Sequence, residues 1–305
     1  IVKNLLVGAM MMMTRVGMIL GSSNDVLACG KCGNEKNHQA IVVVSFGTTF
    51  DDAREKCIES VENKITEMFP FYEVRRAFTS NIVMKRLAEK GIMVDNLEQA
   101  LTKLKNEEYT DVIIQSTHLI PGEEYNTKIL EVAAKHKNDF QTIKIGRPVL
   151  TYSGDGNTTN DYKEFVKALK KQLPQNQGKD TQIIFMGHGS NHENGTVYSK
   201  LQLELDKQGV KGYVAVVEDG AEPSFDSVLK KLANNKETKK VLLMPLMLVA
   251  GDHANNDMAG EEEDSWKSIL TAKGYAVEIY MHGLGENKAF QDIYVEHIKD
   301  AIAGK

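Results

Sequence analysis

The sequence predicts an α/β protein made of two duplicated halves, each with a mainly parallel four-stranded sheet flanked by helices, facing a central cleft. Apolar runs typical of buried strands end at glycine or turn residues, and segments with helical periodicity lie between them. The order of these motifs in residues 38–152 recurs in residues 153–305. Because alternating strands and helices imply right-handed crossovers, we expect parallel strands, with ligands bound beyond their carboxyl ends.

The first predicted strand is "AIVVVSFG", which begins at Ala40 and ends at Gly47. An unbroken apolar run of this kind is typical of a strand buried on both faces. The next segment starts with acidic residues suited to a helix N-terminus and carries an apolar stripe that includes Cys57, so Cys57 is predicted to be a small core residue. Three more strands are predicted at "EVRRAFTS", "DVIIQSTHLI" and "TIKIGRPVL".

The second half repeats this scheme with "QIIFMGHGS", "YVAVVEDG", "VLLMPLMLVAGDH" and "AVEIYMHG" in corresponding places. The segment "SGDGNTTND", residues 153–161, is rich in glycine, asparagine and threonine and is typical of a connection between units. We therefore predict an N-terminal half at 38–152 and a C-terminal half at 153–305.

Residues 1–37 differ from the rest of the chain. Lys3 precedes an apolar stretch interrupted by Thr14 and Arg15, too short and broken for a membrane span of about 20 apolar residues. A charged start and an apolar middle favour a secretion signal, and "VLAC" resembles a lipoprotein cleavage site with Cys29 as the lipid-anchored residue. This predicts a cell-envelope protein. The alternative is a mis-assigned start and a cytoplasmic protein.

Composition excludes one class of function. The chain has 305 residues, of which 26% are charged and 42% hydrophobic, and its formal net charge is −5. These are values of an ordinary soluble protein, and no basic run with interleaved aromatic residues is present, so a nucleic-acid-binding surface is not expected. Cys29 and Cys32 have the spacing of a redox or zinc pair, but they lie in a polar tail without a second pair.

Three consecutive predicted strands of the second half end in candidate metal ligands: His188, Glu218 and His253. Two imidazoles and a carboxylate suit a divalent transition metal with open coordination positions. Gly187 and Gly189 flank His188, and we expect them to leave room for a ligand to approach; Gly251 is expected to do the same near His253. A hydrogen-bonded structural role for each residue stays open, because sequence alone does not say whether the three strands are neighbours.

The other histidines give weaker signals. His118 ends a strand of the first half and could line the cleft or bind haem, although a structural role is favoured. His192 could join His188 only if that segment is helical, and His282, at the last strand, could line the cleft. His136 and His297 lie on predicted helices and are expected to face solvent.

Two features are predicted near the last motif. Trp266 is expected to pack its helix against the sheet, and the acidic run at residues 260–264 to form the first turn of that helix. The alternative role for this run is to attract cations towards the cleft.

Several motifs resemble the anaerobic cobaltochelatase family called CbiK. They are "VVVSFGTT", "RRAFTSNIV", "IQSTHLIPGEEY", "FMGHGS", "AVVE" and "LMPLMLVAGDHANNDMAGEEEDSWK", and the resemblance runs from about Ala40 to the C-terminus. It implies a class II chelatase fold related to the ferrochelatases. It also implies the family reaction, insertion of Co²⁺ into sirohydrochlorin on the anaerobic route to cobalamin.

The resemblance also implies residue roles. His188 matches the family's Gly-His-Gly histidine, a metal ligand and proton acceptor, while Glu218 and His253 match its other two metal ligands. Glu124, in "PGEEY", matches a carboxylate on the opposite wall of the cleft that assists proton removal. Co²⁺ is the expected substrate metal, although imidazole and carboxylate ligands also accept Fe²⁺, Ni²⁺ and Zn²⁺.

An alternative function is an exported lipoprotein that binds haem or another tetrapyrrole, or removes its iron. The signal-like N-terminus favours this alternative, whereas the complete set of three metal ligands favours the enzyme. Assembly into a homo-oligomer is a further expectation.

Overall fold

The computed structural model describes residues 38–156, 158–175, 177–189 and 196–305, which form one compact unit. The predicted leader with Cys29 and Cys32, and the prediction for His192, lie outside the described residues. Within the described ranges, every helix is too short or too polar to cross a membrane.

In the described part of the chain, eight strands form two separate four-stranded sheets in which every pairing is parallel. The strand order is β2-β1-β3-β4 in the first sheet and β6-β5-β7-β8 in the second, so the two sheets share one topology, as expected for a duplicated unit. The strands are β1 (Gln39–Ser45), β2 (Glu73–Phe78), β3 (Asp111–Ser116), β4 (Thr142–Gly146), β5 (Thr181–Gly187), β6 (Gly212–Val216), β7 (Lys240–Pro245) and β8 (Ala276–Ile279). The boundary predicted at residues 153–161 stays a prediction.

Helices connect the strands and cover both sheets. Two of them, α1 and α4, contain a π-helical middle section, and a separate π-helical turn, Ala254–Met258, follows β7. The helices are α1 (Asp51–Ala53, Arg54–Glu59 and Ser60–Met68), α2 (Asn81–Glu89), α3 (Leu97–Asn106), α4 (Glu123–Tyr125, Asn126–Leu130 and Glu131–Lys135), α5 (Asp161–Lys170), α6 (Thr196–Lys207), α7 (Phe225–Asn234), α8 (Trp266–Ala272) and α9 (Lys288–Ala303).

The main hydrophobic core lies between the two sheets. Alternate residues of each strand point to opposite faces, so Ile41 and Val43 of β1 join the central core while Val42 and Val44 join an outer core under α3 and α4. The second sheet has the same arrangement, with Phe185 in the central core. Strands covered on both faces explain the unbroken apolar runs in the sequence.

The last helix, α9, packs against the first half of the molecule. It contacts α1, β3 and β4, and its buried Phe290, Tyr294 and Ile298 belong to the central core. The hydroxyl of Tyr294 donates to the backbone carbonyl of Thr117 at 2.9 Å. The chain therefore returns at its end to cover the sheet with which the described fold begins.

The prediction that His297 faces solvent was wrong, because α9 is covered on more than one side. His297 is buried, with Nδ1 3.0 Å from the Arg147 carbonyl and Nε2 3.5 Å from the Asp161 carboxylate. The guanidinium of Arg147 donates to both carboxylate oxygens of Asp161 and to Asp300. Burial alone would raise the pKa of Asp161, but hydrogen bonds from His297 and Arg147 outweigh it and lower that pKa.

The same prediction was wrong for His136, which is buried at the end of α4. Its Nδ1 lies 2.8 Å from the carboxylate of Asp139, and its Nε2 lies 3.2 Å from Glu98 on the neighbouring helix α3. Helical periodicity did not reveal that α3 covers this face of α4.

The predictions for Cys57 and Trp266 are confirmed. Cys57 is buried, and burial raises the pKa of its thiol to about 12. Trp266 stacks on Phe225 with ring centroids 4.2 Å apart and packs in the outer core of the second sheet. The prediction for the acidic run 260–264 was wrong, because α8 begins only at Trp266, where Ser265 is the N-cap and its hydroxyl accepts a hydrogen bond from Ser268 N.

Candidate metal centre

His188 and Glu218 lie at the carboxyl ends of neighbouring strands. β5 pairs with β6 on one side and β7 on the other, so the three segments that carry the predicted ligands are adjacent in space. His188 follows β5 directly, and its carbonyl accepts a hydrogen bond from Glu218 N at 2.9 Å. This backbone bond extends the parallel ladder past the strand ends and fixes the two residues side by side.

The three side chains face one another. The Nδ1 of His188 lies 3.6 Å from Oε2 of Glu218, and the rings of His188 and His253 meet edge to face with centroids 5.0 Å apart. The side chains of His188, Glu218 and His253 are 54%, 33% and 41% exposed, so solvent and a metal ion can reach all three.

No group of three or more His, Cys, Asp or Glu side chains within the described ranges is already arranged to hold a metal ion. His188, Glu218 and His253 are therefore close together without forming a preformed set of metal ligands. Closed four-ligand sites are typical of structural zinc instead.

His253 is not at the end of a strand, contrary to the sequence prediction. β7 ends at Pro245, and a connecting segment leads to His253, which is the N-cap of the π-helical turn Ala254–Met258. Its Nδ1 lies 2.7 Å from Oδ2 of Asp257, one helical turn further on. Sequence analysis missed Asp257, although the spacing of four residues between a histidine and a carboxylate was a signal for it.

The glycines around His188 do not serve the purpose predicted for them. A Cβ on Gly187 would lie 2.5 Å from Cε1 of Tyr198, and a Cβ on Gly189, whose φ is +108°, would lie 2.9 Å from Cβ of Glu218. Both glycines therefore allow close packing of the backbone around the candidate ligands. A Cβ on Gly251 would make only ordinary contacts, the nearest at 3.7 Å.

Tyr198 of α6 packs against the segment that follows β5. It is buried, and its hydroxyl accepts a hydrogen bond from Gly189 N at 3.3 Å. Burial raises the pKa of Tyr198, so the phenol stays neutral. Sequence analysis missed this residue, and nothing in its spacing from His188 indicated the contact.

Glu124 lies in the half of the molecule that contains the first sheet. It lies in the first turn of α4, shortly after β3, and it is half-buried. The loops that follow β1 and β7 approach each other, since a Cβ on Gly251 would lie 3.7 Å from Oγ1 of Thr48. No hydrogen bond or ion pair among the described residues joins the carboxylate of Glu124 to His188 or His253.

His118 and His282 lie in separate surroundings. Nδ1 of His118 lies 3.0 Å from the hydroxyl of Ser116, its Nε2 is buried without a partner among the described residues, and burial lowers its pKa to about 4. This neutral, enclosed imidazole fits the structural role that the sequence favoured. His282 is exposed, and its Nδ1 lies 2.8 Å from Glu286.

Two curated relatives match nearly the whole described fold. The sirohydrochlorin cobaltochelatase of Salmonella typhimurium is 37% identical over 265 residues, covering 87% of this chain and 96% of that protein. The sirohydrochlorin cobaltochelatase CbiKC of Nitratidesulfovibrio vulgaris is 34% identical over 266 residues, covering 87% and 91%.

Solved structures with low sequence identity show the same fold. SirB from Bacillus subtilis with Fe³⁺ has a TM-score of 0.61 at 13% identity, covering 87% of this chain and 96% of that one. The sirohydrochlorin chelatase SirB from Bacillus subtilis subspecies spizizenii in complex with cobalt has a TM-score of 0.57 at 14% identity, with coverage of 87% and 96%. Finally, the family model for cobalt chelatase (CbiK) matches residues 39–303. The chain therefore belongs to the cobalt chelatase (CbiK) family.

Proposed function

We propose that this protein is a sirohydrochlorin cobaltochelatase, which exchanges the two pyrrole protons of the macrocycle for Co²⁺. The observation that carries the proposal is the group of two imidazoles and one carboxylate that His188, Glu218 and His253 form beyond the carboxyl ends of neighbouring strands, in a chain of the cobalt chelatase family. The names of its two curated relatives support the same substrate and metal.

The three side chains would hold Co²⁺ before transfer. Two imidazoles and one carboxylate leave coordination positions open, through which macrocycle nitrogens can replace the protein ligands one at a time. The exposure of all three side chains leaves a path for metal from solvent and for a flat macrocycle above them. Other divalent metals that prefer nitrogen and oxygen ligands, Fe²⁺, Ni²⁺ and Zn²⁺, would bind the same set.

Proton removal needs a base that faces the macrocycle. Once Co²⁺ moves to the pyrrole nitrogens, His188 is free to accept a proton, and the carboxylate of Glu218, 3.6 Å away, would stabilise the resulting imidazolium. Glu124, at the carboxyl end of the other sheet, is proposed to assist with the second proton. In the overall reaction, the macrocycle binds one Co²⁺ and releases two protons.

We propose further that the leader exports the protein and that Cys29 carries a lipid, which would place a chelatase in the cell envelope. The alternative, a carrier that binds a tetrapyrrole without metallating it, is not favoured, since the curated relatives are named as chelatases. Homo-oligomer formation stays a prediction.

The test is Co²⁺ insertion into sirohydrochlorin, followed by absorbance under anaerobic conditions. His188→Ala should lower the rate about 10²–10⁴-fold, the usual cost of losing a positioned base, and added Co²⁺ should not restore it. Added Co²⁺ should partly restore Glu218→Gln, whose defect is mainly affinity. Glu124→Gln should slow turnover with little change in Co²⁺ binding.

The matched control is His282→Ala, which removes an exposed histidine that is also paired with a carboxylate. We expect nearly unchanged insertion rates for this variant. A wild-type protein that binds sirohydrochlorin but never metallates it faster than the uncatalysed background would contradict the proposed function and favour the carrier.

A further inference from the structure

We infer that Asp257 is a positioning residue that fixes the tautomer and orientation of His253, so that its Nε2 is presented to the metal. The inference rests on the proposed function only for its catalytic consequence. Its basis is the 2.7 Å contact between Nδ1 of His253 and Oδ2 of Asp257.

The contact determines which nitrogen carries the proton. A neutral imidazole has one N–H donor and one acceptor, whereas an ionised carboxylate can only accept hydrogen bonds. Nδ1 of His253 must therefore donate to Asp257, which leaves the Nε2 lone pair free for a metal. Histidine ligands commonly donate their second nitrogen to a carboxylate in this way, which also raises the basicity of the ligating nitrogen.

The turn that carries the pair is anchored on its opposite side. Ala254 and Met258 of the π-helical turn are fully buried in the outer core of the second sheet. Gly260 follows the turn, and a Cβ there would lie 2.3 Å from the carbonyl oxygen of Asn256, so no larger residue fits without a backbone shift. The side chains of His253 and Asp257, both partly exposed, thus project from a fixed backbone.

Within the described part of the chain, no second partner accounts for the position of Asp257. Among the described residues, its carboxylate accepts a hydrogen bond only from His253. The comparable pair, His282 and Glu286, differs here, because Glu286 also accepts from the backbone N–H of Gly283 and thereby holds its own turn. Asp257 therefore serves to orient the imidazole of His253 rather than to stabilise the fold.

The test compares Asp257→Ala and Asp257→Asn with Asp252→Asn as the matched control. Asp252 precedes His253 directly, but its carboxylate accepts from the side chain of Asn256 instead. The control thus removes a negative charge from the residue next to His253 without touching the imidazole contact.

We expect Asp257→Ala to weaken Co²⁺ binding about 10–100-fold, as the loss of such supporting carboxylates does, and to raise the KM for Co²⁺ more than it lowers kcat. Asp257→Asn should retain part of the affinity, because its amide oxygen can still accept from Nδ1–H. Asp252→Asn should bind Co²⁺ like the wild type. Nitrogen NMR of the metal-free protein should show His253 protonated at Nδ1 in the wild type and a mixture of tautomers in Asp257→Ala.

Unchanged Co²⁺ affinity and an unchanged His253 tautomer in Asp257→Ala would overturn the inference. Equal losses in Asp257→Ala and Asp252→Asn would also overturn it, since a general effect of charge would then be responsible. The binding and NMR measurements need no catalysis. If the wild type failed to metallate sirohydrochlorin while Asp257→Ala still changed the Co²⁺ affinity and the His253 tautomer, the proposed function would fail and the inference about Asp257 would stand.

Discussion

Replacing Gly189 by alanine should disturb the candidate metal centre through the backbone that holds it. Gly189 has a φ of +108°, a conformation that residues with a side chain rarely adopt, and such a strained residue costs about 1–3 kcal/mol. Its new Cβ would lie 2.9 Å from Cβ of Glu218, 3.2 Å from Cβ of Val216 and 3.3 Å from Cβ of Ala221. All three contacted atoms are Cβ atoms, which are bonded directly to the backbone and move only with it. Glu218 must therefore shift by a few tenths of an ångström.

That shift changes the position of Glu218 relative to His188, whose Nδ1 now lies 3.6 Å from Oε2 of Glu218. Functional sites tolerate displacements of only about 0.5 Å. We therefore expect Gly189→Ala to weaken Co²⁺ binding about 10-fold, at the lower end of the effect of losing a supporting group. Calorimetric titration with Co²⁺ and urea unfolding of the same preparations would measure affinity and stability separately.

Gly209→Ala is the matched control, because Gly209 also has a positive φ, +70°, but its Cβ would meet nothing within 4 Å. This variant should lose up to a few kcal/mol of stability to backbone strain and keep wild-type Co²⁺ affinity. Equal Co²⁺ affinities in the two variants would refute the reasoning, since the collision with Glu218 would then have no effect on the site.

Two further predictions concern acid stability and the N-terminus. The pKa of His118 falls from 6.5 to about 4 on folding, so the unfolded state binds more protons in this window and stability should drop as the pH falls from 6.5 to 4. The loss is at most about 3 kcal/mol, because one pKa unit is worth about 1.4 kcal/mol and the residue as a whole is only half-buried. His118→Gln should flatten this pH dependence in urea unfolding, and an unchanged slope would contradict the assignment. Mature protein should begin at Cys29 with a lipid and fractionate with membranes, and Cys29→Ser should abolish both. An intact N-terminus upstream of Val26 would rule out this processing.

Much of the fold could be predicted because each half buries its strands on both faces. The apolar runs around Val43 and Phe185 indicated covered parallel strands, and the repeated motif order indicated the shared topology. The pairing of His188 with Glu218 followed from their positions at matching strand ends.

The predictions that were wrong depended on contacts between distant segments. The path from Pro245 to His253 is irregular, so no periodicity placed His253 on a helical turn. A helical pattern shows one apolar face but does not show how many neighbours cover the helix, so it predicts an exposed His297 where the structure has a buried one. The close packing of Gly187 on Tyr198 likewise depends on how α6 lies against β5.

The position of α9 has a consequence for synthesis on the ribosome. The inner face of the first sheet is completed by Phe290, Tyr294 and Ile298, which are synthesised about 150 residues after β4, the last strand of that sheet. At about 5–20 residues per second, this apolar face would stay uncovered for roughly 7–30 s. The first sheet is therefore the part of the nascent chain most in need of protection by chaperones, and a chain that stalls before α9 would be a poor candidate for folding on its own.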